Sequence, residues 1–419
     1  MLESAPRTLL AVLGLVGLLC LPRSAAPQDA VRRVTLTEAL REFAENSLAL
    51  KIARSEAART AGAARQSRAY ANPSFTIGRD DLGHGSEKFW EETMQFVQQV
   101  EWPGRTSARG RAATHTINAG AARLRADSIQ LAFEVRESYA MAWLAEESEL
   151  TIRQAADVIR SVAEDAEVRL EAGDISDYET RRLRLERVRA EQDVTEAGIR
   201  TRAARRQLAA LIAPGTEAEE VGPSAALRGV PPPMAREDAL RLLTARPDLE
   251  AAARELDAAQ AEVDIARSYW VPAPTLGVGY RHHLDGFAGA SVGLDLPLPL
   301  FDRGAGAREE AAAQSSAAAY RLDLRRRLAE NDLLNAADRY AASRARVEVA
   351  ADVLLADGEA LLSSATAAYG ENEMTLLELL DAASAFQDAR LSALSLRSEA
   401  WIAYYDLLRA MGTAPEEER

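Results

Sequence analysis

Two matching halves run through this 419-residue chain, offset by roughly 200 residues and separated by a Pro/Gly-rich stretch from Ala213 to Pro233. Whatever the chain folds into must be built from two copies of one supersecondary unit. Each half reads as helix, strand, loop, strand, long helix, turn and helix. Asn72-Pro73-Ser74-Phe75-Thr76-Ile77-Gly78 in the first half corresponds to Ala273-Pro274-Thr275-Leu276-Gly277-Val278-Gly279 in the second. The second strands end in similar corners, Val100-Glu101-Trp102-Pro103-Gly104-Arg105 and Leu298-Pro299-Leu300-Phe301-Asp302-Arg303. Further on, Gly173 to Glu179 aligns with Asn372 to Glu378.

Both of those later segments carry a capping box, Ser176 to Glu179 and Thr375 to Glu378, as does Thr35 to Glu38 near the start. The hydroxyl satisfies a free backbone N–H of the new helix and the carboxylate reaches back. Each of the two later boxes therefore marks a tight turn between helices. No proline interrupts Thr106 to Ala172, a stretch that at about 1.5 Å per residue extends on the order of 100 Å. After Thr375, the apolar residues Leu376, Leu379, Ala383, Phe386, Ala393, Leu396, Ala400, Ala403 and Leu407 follow spacings of three, four and seven. That narrow seam suits coiled-coil packing, and an aromatic content of only 5% argues against one bulky core.

The strands carry a different period. Val292, Leu294, Leu296 and Leu298 alternate with Ser291, Gly293, Asp295 and Pro297; Met94 and Phe96 alternate with Thr93 and Gln95; Leu276, Val278 and Tyr280 alternate with Thr275, Gly277 and Gly279. A period of two describes a strand with one apolar and one polar face. The apolar face is expected outward, in lipid, although a soluble hairpin lying on the helices gives the same alternation. Four strands cannot enclose a pore, and their edges cannot be left open in lipid. Closure then needs other copies of the chain. Trp102 and Phe301, beside the corners, are expected as membrane-interface aromatics.

At the N-terminus, Arg7, the apolar run Leu9 to Leu21 and the small residues Ser24-Ala25-Ala26 read as a secretory signal peptide over residues 1–26. Cys20, the single cysteine, lies within it, either discarded with the signal or acylated. The expected organisation continues with a first repeat over 27–212, with strands at about 73–80 and 92–101. A linker follows over 213–233, then a second repeat over 234–411, with strands at about 274–281 and 289–298, and a tail over 412–419. A net charge of −14 argues against nucleic acid as a partner. The four histidines, His84, His115, His282 and His283, show no metal-ligand spacing. His84 and His282-His283 are expected in polar loops between strands. No nucleophile triad or phosphate loop stands out, so no catalytic, cofactor or metal site is expected.

From Val34-Thr35-Leu36-Thr37-Glu38-Ala39-Leu40 to Trp401-Ile402-Ala403-Tyr404-Tyr405-Asp406-Leu407, these segments and their duplicated order resemble the outer-membrane efflux protein family, the TolC-like channel components of tripartite export systems. The resemblance implies a mainly α fold with a small β part. Long antiparallel helices would form the α-barrel of a homotrimer, and four strands per chain would contribute to a shared twelve-stranded transmembrane β-barrel. It also implies outer membrane lipid, a periplasmic adaptor protein and an inner-membrane pump of the resistance-nodulation-division type as partners. Both capped turns then fall at the periplasmic tip, where Gly173, Asp174, Ile175 and Ser176, with Gly370, Glu371, Asn372, Glu373, Met374 and Thr375, would meet the adaptor. Three copies of their carboxylates would ring a narrow opening, the arrangement that favours cations. Acidic residues also gather at helix N-termini for the dipole alone, which suffices for Asp177.

Gln98-Gln99-Val100-Glu101-Trp102-Pro103-Gly104-Arg105 looks like the branch that serves heavy-metal cation efflux. The chain departs from that branch at Gln99, where a proline often stands, so multidrug or solvent efflux stays open. A periplasmic structural coiled coil or adaptor is the reading that needs no inserted strands.

Overall fold

The computed structural model describes residues 31–172, 175–212, 220–227, 229–371 and 373–413. The expected signal peptide, Cys20, Gly173, Asp174, Asn372 and all but the first two residues of the expected tail lie outside them.

In the first half a short strand β1 (Arg32–Val34) leads to helices α1 (Leu36–Asn46) and α2 (Leu48–Ser67), then to strands β2 (Ser74–His84) and β3 (Glu87–Gln99). Helix α3 (Pro103–Ala172) and helix α4 (Asp177–Ile212) complete it. The second half runs β4 (Val221–Pro223), α5 (Arg236–Leu242), α6 (Pro247–Arg267), β5 (Thr275–His283), β6 (Ala288–Asp295), α7 (Ala305–Arg346), α8 (Asp352–Gly370) and α9 (Leu376–Ala410). A π-helical segment, Val347–Ala351, joins α7 to α8.

Helix α3 starts with Pro103 at its first position, where the missing N–H costs nothing. Its 70 residues reach about 105 Å. Alanines on its buried side, among them Ala108, Ala112, Ala119, Ala122 and Ala132, let neighbouring helices approach closely along that length. The seam expected on α9 packs as its spacing implies. Leu379, Ala383, Phe386, Ala393, Ala400 and Leu407 are buried, and Leu376, Leu396 and Ala403 pack partly buried against the same clusters.

The four long strands form one antiparallel sheet in the order β2-β3-β5-β6. Each strand continues into a helix, and the four helices touch in the same order, α2 on α3, α3 on α6, and α6 on α7. Further from the sheet the row becomes α4, α3, α9, α8. The chain is therefore a wall, one helix thick, with the sheet at one end. Midway along it, Phe43, Tyr139, Trp143, Leu208, Ile212 and Val221 form the largest core.

Several boundaries differ from the expectation. The first hairpin extends to His84 and Glu87, joined by a two-residue turn in which Gly85 has φ 63°, a conformation open to glycine. The second strand of the second half stops at Asp295, because Pro297 and Pro299 cannot donate ladder hydrogen bonds. The linker contains β4, buried and paired in parallel with β1 through Arg32↔Val221 and Val34↔Pro223. The first helix of each half is broken in two: Ser47 caps α2 through its hydroxyl, and Pro247 opens α6.

Candidate membrane sheet and tunnel end

Residues opposite one another in an antiparallel ladder project to the same face, so register assigns the sheet its two surfaces. One face carries the rows Phe75–Phe96–Val278–Val292, Ile77–Met94–Tyr280–Ala290 and Gln98–Leu276–Leu294. Its apolar side chains are open to the surroundings, with Phe75 61%, Ile77 67% and Val292 74% exposed. The other face carries Thr76–Gln95–Gly279–Ser291 and Gly78–Thr93–Arg281–Gly289. A sheet with one bare apolar face and one small, polar face is the inverse of a soluble sheet, whose apolar face would be covered. The expected alternation is thus present, and no described helix lies over it as the soluble-hairpin reading required.

At the distal end the apolar face turns charged. Arg79 donates to Glu92 at 2.9 Å across the ladder, and its guanidinium stacks over Trp90 at 5.0 Å. His282 stands in the same row as Arg79 and Glu92, edge-on to Trp90 at 5.0 Å. The histidines expected in loops are therefore strand residues, His84 ending β2 and His282-His283 ending β5. Among the described residues no His, Cys, Asp or Glu group is arranged to hold a metal ion, and no helix is long and apolar enough to cross a membrane.

At the proximal end the corners are tied across the two halves. The Trp102 indole N–H donates to the Pro272 carbonyl at 2.9 Å. Arg105, which the sequence reading left without a role, donates to Ser268 Oγ at 3.0 Å and to the carbonyls of Ser268 and Val271 at 2.8 and 3.1 Å. Its guanidinium lies over Tyr269. Glu101 pairs with Arg109. Gly304, at φ 70°, precedes α7 so close to Tyr269 that a Cβ would lie 2.8 Å from that residue's Cβ. Phe301 touches none of this and is fully exposed.

The opposite end brings the two capped turns together. Ile175, Tyr369, Met374 and Leu376 pack against one cluster formed by Val162, Ala163, Ala166, Leu183, Ala365, Leu379 and Ala382. Both capping boxes form there. The Ser176 hydroxyl and backbone N–H donate to Glu179 at 2.9 and 3.1 Å, and those of Thr375 donate to Glu378 at 2.7 and 2.8 Å. The Ser176 backbone and side-chain hydrogen bonds hold the Glu179 carboxyl below the usual range, and those of the Thr375 side chain and backbone do the same for Glu378. Asp177 pairs with Arg181 at 2.7 Å as a helix-start residue, whereas Glu371 and Glu373 are exposed and have no basic partner among the described residues. Gly370 is the last residue of α8.

Residues 240–413 match the family model described as "Outer membrane efflux protein". The chain is 28% identical over 394 residues to the cobalt-zinc-cadmium resistance protein CzcC of Cupriavidus metallidurans, covering 92% of both chains. It is also 28% identical over 278 residues to the nickel-cobalt-cadmium resistance protein NccC of Alcaligenes xylosoxydans, covering 63% of this chain and 61% of that one. Its fold matches the Campylobacter jejuni CmeC outer membrane channel with a TM-score of 0.78 at 16% identity, covering 92% and 87% of the two chains. A bare apolar sheet on a helical wall about 100 Å long agrees with these likenesses: in its second half the chain resembles the outer membrane efflux protein family, and its fold is that of an outer membrane channel that extends into the periplasm.

Proposed function

We propose that the protein is the outer-membrane duct of a metal-cation efflux system, working as a homotrimer with a periplasmic adaptor and an inner-membrane pump of the resistance-nodulation-division type. The observation that carries the channel is the sheet: its apolar face is bare and its two edges, β2 and β6, are unpaired. An open edge in lipid leaves a row of peptide groups unsatisfied, so β6 of one copy must meet β2 of another. Three copies give twelve strands. The cargo rests on the likeness to CzcC, a cobalt-zinc-cadmium resistance protein, over 92% of both chains.

The duct passes its cargo without holding it. Selection falls to long-range charge. At the tip, the carboxylates of Glu371 and Glu373, without a basic partner among the described residues and repeated three times, make the opening negative.

A strain lacking the protein should lose resistance to cobalt, zinc or cadmium ions while keeping its tolerance of dyes and detergents. Sensitivity to dyes and detergents alone would move the cargo to organic compounds and leave the duct intact. In planar bilayers, Glu371→Lys with Glu373→Lys should lower the cation-to-anion permeability ratio severalfold. An unchanged ratio would make these carboxylates mere helix-end solvation.

A further inference from the structure

Charge on the polar face of the sheet is gathered at one level. Near the helices the rows are Ser74–Val97–Gly277–Gly293 and Thr76–Gln95–Gly279–Ser291, and of the described residues there only Asp295, at the base, is ionisable. Side chains at that level are small or lie flat: the Gln95 amide rests across Gly277, where a Cβ would strike it. Two residues beyond Gly279 the character changes. Arg281 and, in the next row, Asp80, Glu91 and His283 set four ionisable groups side by side. Leu82 and Phe89 follow, then the terminal pair His84 and Glu87.

The belt is organised around Glu91. Arg281 Nη1 lies 3.2 Å from Glu91 Oε1, and His283 Nε2 lies 3.9 Å from the same oxygen. Asp80, the ladder partner of Glu91, is exposed and has no basic partner among the described residues. Two carboxylates therefore face one guanidinium. The Glu91–Arg281 pair cancels, and the charge of Asp80 is left over. On the other face, at the same depth, Glu92 meets Arg79 in a comparable pair at 2.9 Å.

Within the duct reading above, the apolar face meets lipid and the polar face bounds the bore. Twelve strands spaced about 4.8 Å apart and tilted about 40° close into a barrel about 24 Å across between backbones. Carboxylates reaching inward from it stand on the order of 8 Å from the axis, about one Debye length at physiological salt. Three unit charges at that distance, screened to that degree, change the occupancy of a passing ion roughly threefold. We infer, on that reading, that Asp80 and Glu91 form a second cation-selecting ring at the outer mouth of the bore, with Glu91 neutralising a guanidinium that would otherwise oppose the cargo.

Reversal potentials across planar bilayers in a KCl gradient test the ring. Glu91→Gln bares Arg281 and should lower the cation-to-anion permeability ratio severalfold; Arg281→Gln should raise it. Both changes break one ion pair, so a merely structural role would move them in the same direction. Asp80→Asn breaks no pair and should lower the ratio as Glu91→Gln does, whereas Glu92→Gln on the lipid face should keep the parent value. The tip carboxylates are the same in every variant, so the differences report the sheet alone. Shifts of equal sign for Glu91→Gln and Arg281→Gln, or an unchanged ratio in Asp80→Asn, overturn the ring and leave the duct standing. A parent protein that forms no pore overturns both.

Discussion

Val278→Arg is expected to remove the protein from the outer membrane, whereas Ser291→Arg on the opposite face should leave it inserted. Val278 sits in the central apolar row between Phe96 and Val292 and is 53% exposed with nothing packed over it. If that surface meets lipid, a midplane arginine costs about 2–4 kcal/mol per copy. At about 1.4 kcal/mol per decade this is a factor of roughly 30 to 1,000 in each copy's contribution to insertion. Ser291 shares a row with Thr76, Gln95 and Gly279 on the polar face, where an added charge stays hydrated. Membrane fractionation with heat-modifiable mobility reads both variants. Equal insertion of the two would mean that the apolar face lies against protein and not lipid.

What could be read from the sequence was what local chemistry encodes. Strand alternation needs only neighbours two residues apart, and a capping box needs only four residues, so both faces of the sheet and all three caps were legible. The α9 stripe, a repeat of threes and fours, was legible for the same reason. The β1–β4 pair was not. Arg32-Arg33-Val34 and Val221-Gly222-Pro223 look like loop, and what makes them strands is burial beneath Tyr139, whose hydroxyl donates to the Val34 carbonyl at 3.3 Å. The distal strand ends were also hidden. Asp80, Asp81, Lys88 and Glu91 are polar enough to pass for a loop, yet they pair in register around Gly85 because the hairpin there stands beyond the apolar rows. That the two capped turns meet was legible from the duplication, but the surroundings of each carboxylate depended on whether an arginine stood nearby, as Arg181 does for Asp177 and none among the described residues does for Glu371.

A second large effect is expected far from membrane and tip, where five ionic residues from distant segments meet and no sequence signal announced them. Arg246 is 8% exposed and donates to the Ala410 carbonyl at 2.6 Å, to both Asp248 oxygens at 3.0 Å and to Asp332 at 3.2 Å. Arg409 donates to Asp332 at 2.9 Å and to Asp406 at 2.8 Å. Together they fasten the end of α9 to the starts of α6 and the middle of α7, closing the second half of the wall. Arg246→Met leaves the Asp248 carboxylate and the Ala410 carbonyl without this donor and Asp332 with Arg409 alone, a loss of the kind that costs up to about 3 kcal/mol when one partner of a buried pair is removed. The variant should unfold at lower denaturant concentration and expose the α9 C-terminus to protease. Acid should act on the same cluster. Burial pushes the Asp332 carboxyl up, but Arg409 and Arg246 outweigh it and hold the carboxyl below its ordinary value. Its contribution is therefore full above the unfolded carboxylate pKa of about 3.9 and is lost as pH falls through the lower folded value. Asp332→Asn should flatten that acid limb of the stability curve while lowering the plateau at neutral pH. An acid limb as steep in the variant as in the parent would assign acid unfolding to other carboxylates and leave Asp332 a bystander.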